Sequence, residues 1–198
     1  MREFESHVLR HKTEHTIWCA LFYFINNLIH KKYTSVFFIF SASHVFYVIQ
    51  KVINMVREIY KSELKELLEL YLHLHESSTP EISDNLLNTW ETITNDTNHH
   101  IIVKEVDGKI VSSCVCVIIP NLTRNIRPYA FIENVVTHAD YRKKGYAHEC
   151  LDYAKKIAQN NNCYKMMLLT GAKDEATLNF YTNAGYNSSD KTAFIMWL

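Results

Sequence analysis

Glycine and proline are scarce in this chain, with four and three among 198 residues. That scarcity excludes glycine- or proline-rich linkers and collagen-like repeats, and no low-complexity segment or internal repeat is present. The five cysteines, Cys19, Cys114, Cys116, Cys150 and Cys163, are odd in number and contain no C-x-x-C pair. A disulfide framework is therefore not expected, and reduced thiols in a cytoplasmic protein are. Cys114 and Cys116 share one face of a strand pattern, where packing is their expected role. No further ligands are spaced to make a metal site with them, with His73 and His75, or with His99 and His100. Net charge is also lacking: 21 basic residues balance 21 acidic ones. A nucleic-acid partner is not expected on that balance. What is abundant is hydrophobic sequence, 47% of the chain. A chain of this length and content builds one well-buried domain and is too short for two ordinary ones.

Residues 1–54 differ from the rest. They hold no glycine or proline, six basic and three acidic residues, and two long uncharged runs, 16–29 and 33–50. A membrane segment and a signal peptide are both poorly matched by these runs. The favoured expectation is a start-site artefact, with the natural chain beginning at Met55; association with a membrane through 1–54 is the second reading. Residues 55–198 then form the domain.

From Met55 onward the pattern predicts a first strand at 56–60, then a helix capped by Ser62 with Leu64, Leu67, Leu68, Tyr71 and Leu72 on one face. A second helix follows, capped by Ser83, with Leu86, Leu87, Trp90 and Ile93 on its apolar face. Strands at 101–106 and 109–119 flank the hairpin turn Asp107-Gly108. A polar loop at 121–128 carries Arg124 and Arg127. Further elements are a strand at 129–137, a helix at 145–161 with Cys150, Leu151, Ala154, Ile157 and Ala158 inward, and a strand at 164–170. Asp174 caps a last helix that Gly185 ends, and residues 192–198 form a closing strand. The order is β-α-α-β-β-β-α-β-α-β, with hairpin pairing in the middle and a parallel pair across the 145–161 crossover.

The basic turn Arg142-Lys143-Lys144-Gly145-Tyr146-Ala147 joins the 129–137 strand to that crossover helix. Unpaired N–H groups at a helix start, with glycine allowing close approach, suit a pyrophosphate. Arg142-x-x-Gly145-x-Ala147, together with Asn179-Phe180-Tyr181 and Ala184-Gly185-Tyr186, resembles the conserved blocks of the GNAT superfamily of acetyl-CoA-dependent N-acetyltransferases. Glu133-Asn-Val-Val and Asn162-Cys-Tyr-Lys165 are most similar to the branch containing glucosamine-phosphate acetyltransferases. The resemblance implies an α+β, three-layer αβα fold. Its sheet is mixed and mostly antiparallel, six to seven strands, with a splayed parallel central pair that admits acetyl-CoA.

It further implies roles for named residues. Residues Arg142, Lys143, Lys144, Gly145, Tyr146 and Ala147 would hold the pyrophosphate. The backbone of Val135, Val136 and Thr137 would pair with the pantetheine, with the Val136 amide polarising the thioester, and Asn179 would orient it. Tyr181 is the candidate acid for the thiolate and Glu133 the candidate base, sharing a strand face with Phe131 and Val135. Arg124 and Arg127 would read an anionic group on the acceptor. As ordinary structural residues, Tyr181 would be core, Glu133 an ion-pair partner and the arginines solvated. His138 is expected to be a turn residue. The acceptor is an unidentified amine. A non-catalytic acetyl-CoA-binding module and a membrane-tethered acetyltransferase are the alternatives, and a homodimer is compatible with either.

Overall fold

The computed structural model describes residues 54–198 apart from His75, so the expectations for residues 1–53 lie outside the described part. Among the described residues are five strands in sequential order: β1 (Val56–Glu58), β2 (His99–Val106), β3 (Lys109–Ile119), β4 (Tyr129–Thr137) and β5 (Met166–Leu168). The first four are antiparallel, and β5 runs parallel to β4. Helices α1 (Leu64–Tyr71) and α2 (Asp84–Asn95) lie between β1 and β2 in sequence. Helix α3 (Tyr146–Asn160) makes the β4–β5 crossover, and α4 (Glu175–Asn183) follows β5.

The sheet carries two apolar layers. Ile102, Cys114, Cys116, Ile132 and Ala130 face α3, where Cys150, Leu151, Ala154 and Ala158 meet them. The opposite face brings Ile101, Val103 and Val115 against Leu67 of α1 and Trp90 of α2. Alternation at 101–103 of β2 and 114–117 of β3 produces these two faces. The buried Trp90 indole N–H donates to the Lys61 carbonyl at 2.9 Å, so its polar atom is satisfied.

Local signals place several boundaries. Ser83 Oγ accepts from the Leu86 amide at 3.3 Å, and an Asp174 carboxylate oxygen accepts from the Thr177 amide at 2.9 Å. Asp107 and Gly108 both have positive φ, 50° and 74°, as the tight hairpin requires. The inward face expected for α3 is the one observed.

Four expectations are corrected. The six to seven strands become five, because residues 192–198 form no strand among the described residues. β2 starts at His99 instead of 101, with His99 and His100 paired to Val117 and Cys116. Ser62 caps nothing; it lies in a 3₁₀ turn (Lys61–Glu63), and α1 starts only at Leu64. There Glu63 accepts from the Tyr60 amide at 2.8 Å and from Arg57. Finally, Glu133 and Val135 do not share a face, for a reason that belongs to the site.

Arg57 ties the short first strand to its surroundings. Its guanidinium is almost fully buried and meets Glu63 and Glu105, each at 2.6 Å. Removing one partner from a buried ion cluster strands the others without a counter-charge. Arg57→Met is expected to lower stability by about 3 kcal/mol, read as a lower urea midpoint at unchanged m-value.

Candidate active site

Strands β4 and β5 pair only from Ala130–Met166 to Ile132–Leu168. β4 then continues to Thr137 while β5 ends, so from Glu133 onward no strand among the described residues pairs with β4 on the β5 side. A bulge sits at this parting. Val115 pairs with Glu133 and Ser113 with Val136, leaving Cys114 opposite both Asn134 and Val135. Asn134 takes φ +50°, the left-handed conformation that lets the extra residue fit. The insertion breaks alternation. Val135 packs into the α3-side core, while Glu133, next to the α3-facing Ile132, turns to the α1–α2 side and is exposed.

Val136 is buried, and its carbonyl accepts from Ser112 Oγ at 2.7 Å. Thr137 Oγ1 lies 2.8 Å from the same hydroxyl, and the Thr137 carbonyl accepts from Arg142 Nε at 3.2 Å. Arg142 thus pins the turn to the end of β4. Lys143 has φ +61° and Gly145 φ +82°, so the chain coils tightly before α3 begins. Gly145 is the N-cap of α3, and no side chain caps that end. A Cβ placed on Gly145 would meet nothing within 4 Å, so the space over the helix start is open. The amides of the first turn therefore face an open cradle with the positive end of the helix dipole behind them. Lys143 and Lys144 are exposed beside it, Lys144 lying 4.8 Å over the Tyr141 ring. Tyr146 and Ala147 are half-buried in the first helical turn. These donors fit a diphosphate.

Tyr181 projects from α4 into the α3-side core and is half-buried. Burial first, then Cys114 and Glu133, push its phenol above the ordinary tyrosine range. It stays protonated at neutral pH and is electrostatically coupled to Glu133 across the parting strands. No ion pair is recorded for Glu133 among the described residues, so the expected arginine partner is not found. Asn179 is exposed on α4.

The two loop arginines separate. Arg127 donates to the carbonyls of Asn162, at 3.1 Å, and Cys163, at 3.0 Å, closing the loop onto the end of α3. Arg124 is exposed, with its guanidinium 6.0 Å from the Tyr164 ring centroid. It opens a run of three left-handed residues, Arg124, Asn125 and Ile126, at φ 57°, 59° and 60°. A β-branched residue in that region is strained.

Several contributors were not singled out from sequence. The side chains of Asn134 and Ser113 lie beside the Tyr71 hydroxyl, and burial raises that phenol to about 12 against their opposing effect. Tyr71 thus braces the bulge from α1. The only sequence hint is a polar tip on an otherwise apolar helix face. Lys104, buried in β2, donates to Glu149 of α3 at 2.7 Å and to the Asn54 carbonyl at 3.1 Å. It fixes the first turn of the helix that bears the cradle. His73 packs against His138 in a tilted contact, ring centroids 4.2 Å apart, bringing the segment just after α1 to the basic turn. Desolvation, His138 and Arg142 hold His73 below its ordinary value. His138 is a turn residue as expected, its Nδ1 accepting from the Asp140 amide.

Cys114, Cys116 and Cys150 are free thiols buried in the core. Burial pushes the Cys116 and Cys150 thiols up to about 12, and Cys114 higher still. Among the described residues no group of three metal-binding side chains occurs, and no helix is long and apolar enough to cross a membrane. Tyr186 carries a buried hydroxyl with no hydrogen-bond partner among the described residues. Tyr186→Phe is expected to be neutral or stabilising by about 1 kcal/mol, because it deletes an unsatisfied group without opening a cavity; thermal unfolding checks this.

The comparisons agree with this geometry. The model of the "Acetyltransferase (GNAT) family" matches residues 57–186. A glucosamine 6-phosphate N-acetyltransferase of Trypanosoma brucei brucei is 31% identical over 84 residues, 42% of this chain and 55% of that one. The match thus spans about half the length of that relative. A protein of Agrobacterium tumefaciens strain C58 designated an acetyltransferase is 37% identical, covering 73% of this chain and 99% of that one at a TM-score of 0.68. Glucosamine-6-phosphate N-acetyltransferase from Arabidopsis thaliana shares the fold at a TM-score of 0.62 and 23% identity, covering 73% and 97%. On the family match across 57–186 and the parted strands, basic turn and uncapped helix start it contains, the chain belongs to the GNAT family of acetyltransferases.

Proposed function

We propose that the protein moves an acetyl group from acetyl-CoA directly to a primary amine. The observation that carries this is the convergence of three parts on one opening. The uncapped start of α3 lies at one end, the unpaired β4 edge runs along it, and Tyr181 and Glu133 approach from opposite faces. The amides at 143–147 hold the diphosphate, and the β4 backbone at Val135, Val136 and Thr137 takes the pantetheine arm in extended form. Holding both reactants removes much of the entropic barrier. A β4 amide, Val136 in this reading, donates to the thioester carbonyl as charge develops. Asn179, exposed on α4, orients the arm.

Glu133 accepts, through water, the proton that the acceptor ammonium loses to become the attacking amine. Its exposure on the α1–α2 side supports this role. As the acceptor amine attacks the thioester carbon, the C–S bond breaks and Tyr181 gives its proton to the departing thiolate. Arg124, in no ion pair among the described residues, is the group that reads an anionic acceptor; Arg127 instead shapes the loop. An amino-sugar phosphate is the first acceptor to test, given the named relatives.

Glu133→Gln is expected to lower kcat/KM roughly a hundredfold at neutral pH, with acetyl-CoA affinity retained. Steady-state rates across pH check this, and unchanged turnover throughout removes Glu133 from the mechanism.

A further inference from the structure

We propose that Lys104, buried in β2, is the counter-charge that lets the start of α3 receive a diphosphate: by cancelling Glu149 from beneath the helix, it sets the affinity for acetyl-CoA. Lys104 takes this part on the reading above, in which residues 143–147 hold the diphosphate. It touches no ligand itself and acts through Glu149, as a positioning residue.

Glu149 is the acid in the first turn of α3. Its amide donates to the Gly145 carbonyl at 3.0 Å, so its backbone lies one turn, about 5.4 Å along the axis, from the cap. A carboxylate there suits the helix dipole while the site is empty. It opposes a second anion brought over the same amides, because charges closer than a Debye length of about 8 Å are poorly screened at physiological salt. The cations of the turn do not cancel it. Arg142 is held by the Thr137 carbonyl, Lys144 lies over the Tyr141 ring, and neither they nor Lys143 pair with Glu149 among the described residues.

The charge that meets Glu149 comes from the sheet. Lys104 Nζ donates to Glu149 Oε2 at 2.7 Å, with the lysine side chain 5% exposed and the glutamate 45%. The ammonium therefore lies under the first turn and the carboxylate at its surface. Two further contacts fix the ammonium in place. The Asn54 carbonyl accepts from it at 3.1 Å, and the ring of Tyr146, in the same first turn, has its centroid 5.2 Å away. Stability alone is a poor account of this lysine. It stands between Val56 and Ser112 in the sheet, two residues from the fully buried Ile102, and an apolar side chain of similar volume is ordinarily no less stabilising there than a buried ion pair. What the lysine supplies and a methionine would not is a fixed positive charge beneath the cradle.

Calorimetric titration of the full chain with acetyl-CoA tests this through a cycle of three variants. Lys104→Met conserves volume and leaves Glu149 charged and unpaired, so affinity is expected to fall by about tenfold. Glu149→Gln leaves the lysine charge uncancelled, and affinity is expected to rise by about threefold. Lys104→Met/Glu149→Gln removes both charges and is expected to return to within about threefold of wild type. Urea midpoints of the variants identify any that fails to fold. The sign of the Glu149→Gln effect separates charge from architecture, because a pair that merely braces the helix would weaken binding whichever partner is lost. Weaker binding in Glu149→Gln, or a double variant as weak as Lys104→Met alone, overturns the proposal. Failure of the underlying reading has a different signature: acetyl-CoA binding that is unaffected by Gly145→Glu puts the diphosphate elsewhere and removes both. Binding that depends on Gly145 but is unchanged in Lys104→Met removes the counter-charge alone.

Discussion

Replacing Gly145 with glutamate is expected to remove acetyl-CoA binding while the protein stays folded. Gly145 sits at φ +82°, where an L side chain adds about 1–2 kcal/mol of strain. The added side chain points into open space, so it disturbs no packing. That same space is where the diphosphate would lie, and the new carboxylate sets a negative charge among the first-turn amides that should receive an anion. Steric exclusion, repulsion and a distorted turn act together. Affinity is expected to fall by at least about a hundredfold, or roughly 3 kcal/mol, in a calorimetric titration. Gly145→Ala separates the contributions: it keeps the strain without the charge, and it is expected to weaken binding by about tenfold. Equal affinity in wild type and Gly145→Glu would place the cofactor elsewhere.

The second large effect is on turnover. Tyr181→Phe is expected to lower kcat roughly 10²- to 10³-fold, the usual range for a lost general acid, with little change in the KM for acetyl-CoA. The ring stays, so its packing against Phe180 and Tyr186 is kept. Only the proton donor is lost. The pH profile adds an independent readout. Burial raises the Tyr181 phenol, so it remains protonated below that raised value and loses its proton only as pH climbs through it. The alkaline fall in wild-type kcat is therefore expected above the ordinary tyrosine value of about 10, and it should vanish in Tyr181→Phe. A kcat that survives the substitution makes Tyr181 a core residue alone.

The parts of this architecture visible in the sequence are those specified by neighbouring residues. Ser83 and Asp174 cap helices three residues away, Asp107-Gly108 makes its own turn, and the inward face of α3 follows from helical spacing. The basic turn and the α4 block were legible as motifs because their chemistry is carried by adjacent residues. What could not be read depends on contacts distant in the chain or on unusual backbone. Asn134 enters a left-handed conformation that nothing in its neighbours announces, and this alone turns Val135 away from Glu133. Arg127 reaches carbonyls 35 and 36 residues away, contacts that its loop position does not announce. Lys104 and Glu149 meet across 45 residues. Residues 192–198 carry the composition of a strand but form none among the described residues, because a strand exists only where a neighbour pairs with it.

The most direct measurement is release of free CoA thiol from acetyl-CoA by the full chain, with a panel of amines led by glucosamine 6-phosphate. The expected result is release that depends on the amine, with the product gaining one acetyl group by mass spectrometry and the rate collapsing in Tyr181→Phe. Saturable acetyl-CoA binding with no amine-dependent release from any acceptor would contradict direct transfer and leave a module that binds the cofactor without using it.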